Sequence, residues 1–322
     1  MSQDKSVASQ FELYLQRSDL RPSSIRFKRM ALAHFLRAFG DLAVETVTPA
    51  IAEDYRMVLT KGRSKVSVNG YLANFKPFWV WLHKHGLIAS NPFDAVRLFR
   101  ITESKRSTFT AQELSQMLRV ASRLWRIRTC FGLLGCRRGE MLNVVVRDIN
   151  LSAPHPHILL SPKTATTNTW SWQIKDHAMR MVALPERMSF EDVVIELHND
   201  VVAEIEQLPE SQPYLCLETR YWQKLIRLQS EAILTDIHAA DPTGNFQRMF
   251  RNLQRRAGLR ELRRFHELRA AFITKMIENT DLSRAAEAAG HSSVETTRRY
   301  HRFTEMSLVA DMGRIAEQCY KT

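Results

Sequence analysis

The chain has 322 residues, with 46 lysines and arginines against 34 acidic residues and a formal net charge of +12. That length is enough for about two domains, and the charge points to a polyanionic partner, nucleic acid before anionic membrane. No apolar run approaches the ~20 residues of a membrane span, and the first residues lack the apolar core of a signal peptide, which argues against a membrane role.

From about Ser6 to Arg100 the pattern is helical. Leu32, Phe35, Leu36 and Phe39 recur at i, i+3, i+4, i+7 and Gly40 closes that helix. Tyr71, Phe75, Phe78 and Leu82 form a second apolar stripe, with Gly86 at its exit, and read as core. On the other faces, Lys28, Arg29, Lys61, Arg63, Lys65 and Lys76 could lie against phosphates or simply be solvated. Asn91-Pro92 ends this unit. The sequence divides into a helical domain over 1–102, a polar linker at 103–108 and a second domain over 109–322.

The second domain opens on a capping box, Thr110 with Glu113, followed by the apolar stripe Leu114, Met117, Leu118 and Ala121. Leu124 to Val146 reads as helices around the segment Gly135 to Glu140, and His157 to Ser161 as a short strand. Trp170 to Lys175 and Met179 to Leu184 alternate as a hairpin would, with its turn at 176–178. Phe190 to Leu208 reads as an amphipathic helix, and Glu210 to Asp241 resists assignment. Phe246, Met249, Phe250 and Leu253 mark a helix ended by Gly258. Its polar face, with the loop after it, carries Arg248, Arg251, Arg255, Arg256, Arg260, Arg263 and Arg264. So many guanidiniums with few acids repel one another unless an anion lies against them. Near the end, Leu282 to Ala289 form a helix stopped by Gly290. A new helix starts at Ser292 and Glu295, which holds His291 on a tight turn with Tyr300 about two helical turns further on. The class expected is mainly α with a small antiparallel sheet. Cys130, Cys136, Cys216 and Cys319 show no CxxC spacing and read as reduced thiols. His155-Pro156-His157 lacks a third ligand for a metal.

Gly135-x-Arg137-x-x-Glu140, then Lys175, then His266-Glu267-Leu268-Arg269, then Gly290-His291 with Tyr300, resembles the signature of the tyrosine recombinases, the phage integrase superfamily. Each motif alone is weak, but six positions in order are specific. The resemblance implies a SAM-like helical core-binding domain that clamps DNA, followed by a catalytic domain. It further implies cleavage and rejoining of DNA strands through a 3′-phosphotyrosyl intermediate.

The chemistry asks for these residue types. A nucleophile that conserves bond energy as a covalent ester needs neither ATP nor metal, so no cofactor is expected. Tyr300 is the implied nucleophile, and Arg137 and Arg269 match the charge that builds on the phosphate oxygens. Lys175 is the implied general acid for the departing 5′ oxygen, with Lys163 as competitor. His266 and His291 are implied as proton carriers and phosphate donors, and Glu140 as support for the arginine or a lysine. Ala270-Ala271 depart from the family, which more often has a polar residue and then Thr or Ser. The stretch 153–169 suggests an insertion in the sheet. Expected partners are double-stranded DNA core sites and further copies of the chain, two per site and four in a synapse, in the cytoplasm on the nucleoid. Two other readings stand beside the recombinase: a type IB topoisomerase-like enzyme, and a non-catalytic architectural DNA-binding protein descended from a recombinase.

Overall fold

A computed structural model of the chain describes residues 5–20, 22–101, 108–174, 179–291 and 293–298. The chain divides into two compact units, Met1–Arg106 and Ser107–Thr322. Nearly all of the expected linker lies outside the described residues.

Among the described residues the first unit holds four α-helices: α1 (Val7–Gln16), α2 (Pro22–Phe39), α3 (Pro49–Thr60) and α4 (Lys65–Lys84). Three begin with a hydroxyl cap that satisfies an otherwise unpaired backbone donor: Ser6 accepts from Ser9, Thr48 from Ile51 and Ser64 from Ser67. Their inward faces bury an aromatic core of Phe11, Phe35, Tyr55, Phe75, Phe78, Trp79 and Phe93, in which Trp79 and Phe93 stack at 5.3 Å. Each such ring stabilises the unit by roughly 1.5–3 kcal/mol through burial alone. Several cations expected on the surface are used internally. Lys28 is buried and donates to the Asn74 carbonyl, Lys76 donates to that of Val96, and Arg29 is forked onto Glu12.

The second unit runs α5 (Ala111–Arg119), α6 (Arg123–Leu133), α7 (Arg138–Leu142), β1 (Ile149–Asn150), β2 (His157–Leu160), β3 (Arg180–Ala183), β4 (Arg187–Phe190), β5 (Val193–Glu196), α8 (Leu197–Gln207), α9 (Thr219–Ser230), α10 (Asp236–Ala240), α11 (Phe246–Arg256), α12 (His266–Asn279), α13 (Leu282–Ala289) and α14 (Val294–Arg298). It is mainly helical with small antiparallel sheets, as expected: one in the order β1-β2-β3, the other the β4-β5 pair. The Thr110–Glu113 capping box is present in both halves. Buried Phe131, Phe246, Phe250, Phe265 and Leu268 join α6, α11 and α12 into one core.

Two sequence expectations are corrected, and one unassigned stretch is resolved. Arg180–Ala183 pairs with β2, Leu160 opposite Arg180 and Ile158 opposite Val182, not with 170–175. Trp172 instead pairs with Lys163, closing an arm over 163–172. The first third of the helix expected over 190–208 is a β-turn and strand, because Val193 and Ile195 pair back onto β4. The unassigned stretch 210–241 contains α9 and α10. Its Tyr214 stacks on Trp170 at 4.0 Å, while Trp222 and Gln229 of α9 donate to the carbonyls of Asn168 and Thr166. The stretch therefore braces the arm.

Candidate active site

α6 ends in a turn at Gly135, whose φ of +90° favours glycine. A Cβ there would sit 2.6 Å from the Phe272 ring of α12. That close approach brings the turn against α12. Cys136 follows, buried, and Arg137 caps α7. Glu140 stands at N3, where its carboxylate accepts the Arg137 backbone N–H at 2.7 Å. Its other oxygen takes the Arg137 guanidinium at 2.6 Å. One residue thus closes the helix start and orients the arginine.

Two more guanidiniums reach the same carboxylate. Arg180 of β3 approaches Glu140 at 2.7 Å and Arg269 of α12 at 4.0 Å. Arg269 is 1% exposed and donates to the carbonyls of Gly135 and Ala289. Arg180 donates to Gly135 and Ala288, and Arg137 to Gly290 at 2.7 Å. The last carbonyls of α13, left without helical partners, are therefore held by three cations, the charge that a helix C-terminus favours. Gly290 ends that helix at φ +62°. A Cβ there would lie 2.7 Å from Arg180 Cδ. The turn delivers His291, whose Nδ1 lies 2.8 Å from Thr297 Oγ1 on α14. Ser293, whose hydroxyl accepts from the Glu295 N–H, leads into α14.

Three guanidiniums share the one buried carboxylate of Glu140. Burial, then repulsion from Arg137, pushes the Arg269 guanidinium down to about 10; Glu140 opposes this and Arg180 adds to it. Burial would raise the Glu140 carboxyl, but Arg180 and Arg137 outweigh it and hold the carboxyl below the ordinary range. The Nε atoms of Arg180 and Arg269 are buried without a hydrogen-bond partner. Buried donors without partners are costly, and an oxyanion within their reach relieves that cost.

His266 opens α12, exposed to solvent and one turn before Arg269, so the two share a helix face. Ala270 is 5% exposed and packs inward, which accounts for a small apolar residue there. Lys163 is not a solvated or phosphate-facing cation: it is buried, 2.9 Å from Asp148 and bonded to Ser161. Arg263, one of the expected basic-face residues, is likewise buried and bridges Glu113 and Glu261. Arg248, Arg251, Arg255, Arg256, Arg260 and Arg264 are exposed. Of the six core positions, Arg137, His266, Arg269 and His291 lie within the described residues, while Lys175 and Tyr300 lie outside them. Among the described residues no three His, Cys, Asp or Glu side chains gather as metal ligands.

Arg180 was missed by sequence reasoning. In an alternating strand an arginine reads as an outward-facing residue, and only the packing of α13 turns it into a member of the cluster.

The fold and this cluster agree with what comparison gives. The phage integrase family matches residues 107–306, and the chain belongs to that family, the tyrosine recombinases. Its fold is similar to that of the Tn1549 transposon integrase in complex with a circular intermediate DNA, with TM-score 0.72 and 16% identity over 96% of this chain and 99% of that one. It is also similar to a lambda integrase dimer bound to a COC′ core site, with TM-score 0.66 and 16% identity over 92% and 95% of the two chains. A lambda integrase tetramer bound to a Holliday junction gives TM-score 0.66 and 15% identity, over 92% of this chain and 77% of that one. No curated protein matches the chain by sequence.

Proposed function

We propose that the chain is a site-specific DNA recombinase that breaks and rejoins strands through a covalent phosphotyrosine. The Tyr300 phenol attacks the scissile phosphorus, the bond to the 5′ oxygen breaks, and the 3′ phosphate is held as a tyrosyl ester. Lys175 gives the departing 5′ oxygen its proton. Arg137 and Arg269 hold the non-bridging oxygens, whose negative charge grows in the transition state, and His266 and His291 donate to the phosphate and move protons. A 5′-hydroxyl from a partner strand then attacks the ester and releases Tyr300. Because the ester keeps the bond energy, the cycle runs without ATP or metal. Glu140 acts through the arginines, as a positioning residue.

The observation that carries this reading is the convergence of Arg137 and Arg269, 132 positions apart in the chain, on the turn that bears His291. In the same reading the first unit clamps a half-site, two copies fill a core site and four form the synapse. The exposed arginines of α11 and the loop after it lie along the DNA backbone.

Replacing Tyr300→Phe tests the chemistry. On a nicked suicide substrate the parent chain accumulates a covalent protein–DNA adduct and the variant forms none, while DNA binding persists. An adduct that survives the change removes Tyr300 from the nucleophile's role. Plasmid relaxation without any exchange between sites would favour a type IB topoisomerase instead.

A further inference from the structure

A separate group of cations lies in the first unit, on α2 and on the turn that links α3 to α4. Arg37 and His34 are one turn apart on α2, with Arg37 Nη1 3.3 Å from His34 Nδ1. Arg63 reaches the same imidazole from the Lys61-Gly62-Arg63 turn, its Nη2 3.4 Å from both ring nitrogens. The Arg63 guanidinium thus lies close to both nitrogens of the ring. Tyr71 of α4 supplies the support. Its ring meets His34 edge-on at 4.8 Å and lies 5.4 Å from the Arg63 guanidinium. Among the described residues no carboxylate lies within ion-pair distance of Arg37 or Arg63, although Arg29 on α2 and Arg56 on α3 pair with Glu12 and Glu53.

Two guanidiniums set against one imidazole, with no acid between them, repel one another at rest. Burial first, then Arg63 and Arg37, disfavours the charged form of His34, so the imidazole stays neutral and can accept from the guanidiniums beside it. A tetrahedral, singly charged phosphodiester suits that arrangement: it offers two oxygens to two forks and removes the repulsion. A carboxylate offers its oxygens in one plane to one fork. We infer that His34, Arg37 and Arg63 form a phosphate-binding site on the first unit that takes a single phosphodiester of the DNA backbone. The inference rests on the DNA-binding reading above and adds to it a defined anchor outside the catalytic cluster. Tyr71 positions Arg63 by giving its guanidinium a face to lie on.

The test uses the full chain and a fluorescent duplex of mixed sequence, with binding followed by anisotropy over a range of salt. Arg37→Gln and Arg63→Gln each weaken binding several-fold. The double variant is weaker than either by less than the product of the two effects, because both arginines serve one phosphate. The slope of log affinity against log salt becomes shallower by about 0.9, the change expected when one phosphate fewer is neutralised. Arg63→Lys keeps the parent slope, since the charge remains, but loses affinity with the fork. The melting temperature of the Gln variants stays level or rises, because like charges have been removed. Slopes equal to the parent's, or full multiplicative loss in the double variant, overturn the site, as does a melting temperature that falls, which would make the trio structural. If the parent chain itself fails to bind duplex at low salt, the DNA-binding reading falls first and the site with it.

Discussion

Removing the Glu140 carboxylate takes away the acid that Arg137, Arg180 and Arg269 share, and Arg269 is almost wholly buried. Losing one partner of a buried ionic group costs about 3 kcal/mol or more. Glu140→Gln is therefore expected to lower the stability of the second unit by about that amount in chemical denaturation, and to slow adduct formation. The pH dependence follows from the same residue. Its carboxyl is held below the ordinary glutamate range in the folded chain, so the unfolded chain binds the proton first. The stability it contributes is fully present above the ordinary value of about 4.3 and is lost as pH falls through the lower, folded value. Melting temperature measured from about pH 6 down to about pH 3 falls in the parent and falls less steeply in Glu140→Gln. An identical acid limb in both would place the titration elsewhere, for instance at Glu113, which Thr110 and Arg263 hold down against its burial.

At the level of elements, α13 and its exit turn hold the cluster in register. Gly290→Ala puts a side chain on a left-handed residue, at a cost of about 1–2 kcal/mol, and presses its Cβ against Arg180 Cδ. The adduct rate is expected to drop more than DNA affinity, because the turn carries His291 while the exposed arginines of α11 are untouched. Equal losses in rate and affinity would show that the turn serves binding rather than chemistry. Elements with local determinants were legible in the sequence. The Thr110–Glu113 box, the Gly40, Gly258 and Gly290 helix ends, and the three-residue step from Arg137 to Glu140 each rest on hydrogen bonds within one turn. Elements defined by distant partners were not. β3 chooses β2 across a long arm, Val193 to Glu196 pairs with β4 instead of extending α8, and Lys163 is buried only because Asp148 lies beneath it. The apolar pattern states that a residue is covered, but not by what.

Over the whole molecule, the charge of +12 sets how the chain meets a polyanion. Binding to duplex DNA should release many counterions, and affinity is expected to fall at least tenfold between about 50 and 200 mM salt. A salt-insensitive affinity would contradict a basic clamp. Arg137, Glu140, His266, Arg269 and His291 were legible because their motifs are short and ordered along the chain, and their positions relative to one another emerged only with tertiary packing. Arg180 marks that boundary. It lies in β3, and its targets are the main-chain oxygens of Gly135 and Ala288 together with Glu140.

A tether aimed at the peptide backbone has a consequence for how such a chain drifts. Position 288 can change its side chain and still offer the same oxygen to Arg180, and position 289 does likewise for Arg269 within the room its packing allows. The anchoring points have no side-chain counterpart that must mutate in step with the arginines. Pairs of positions that vary together across relatives would therefore pass over this part of the cluster, and it is the arginines themselves that would stay fixed.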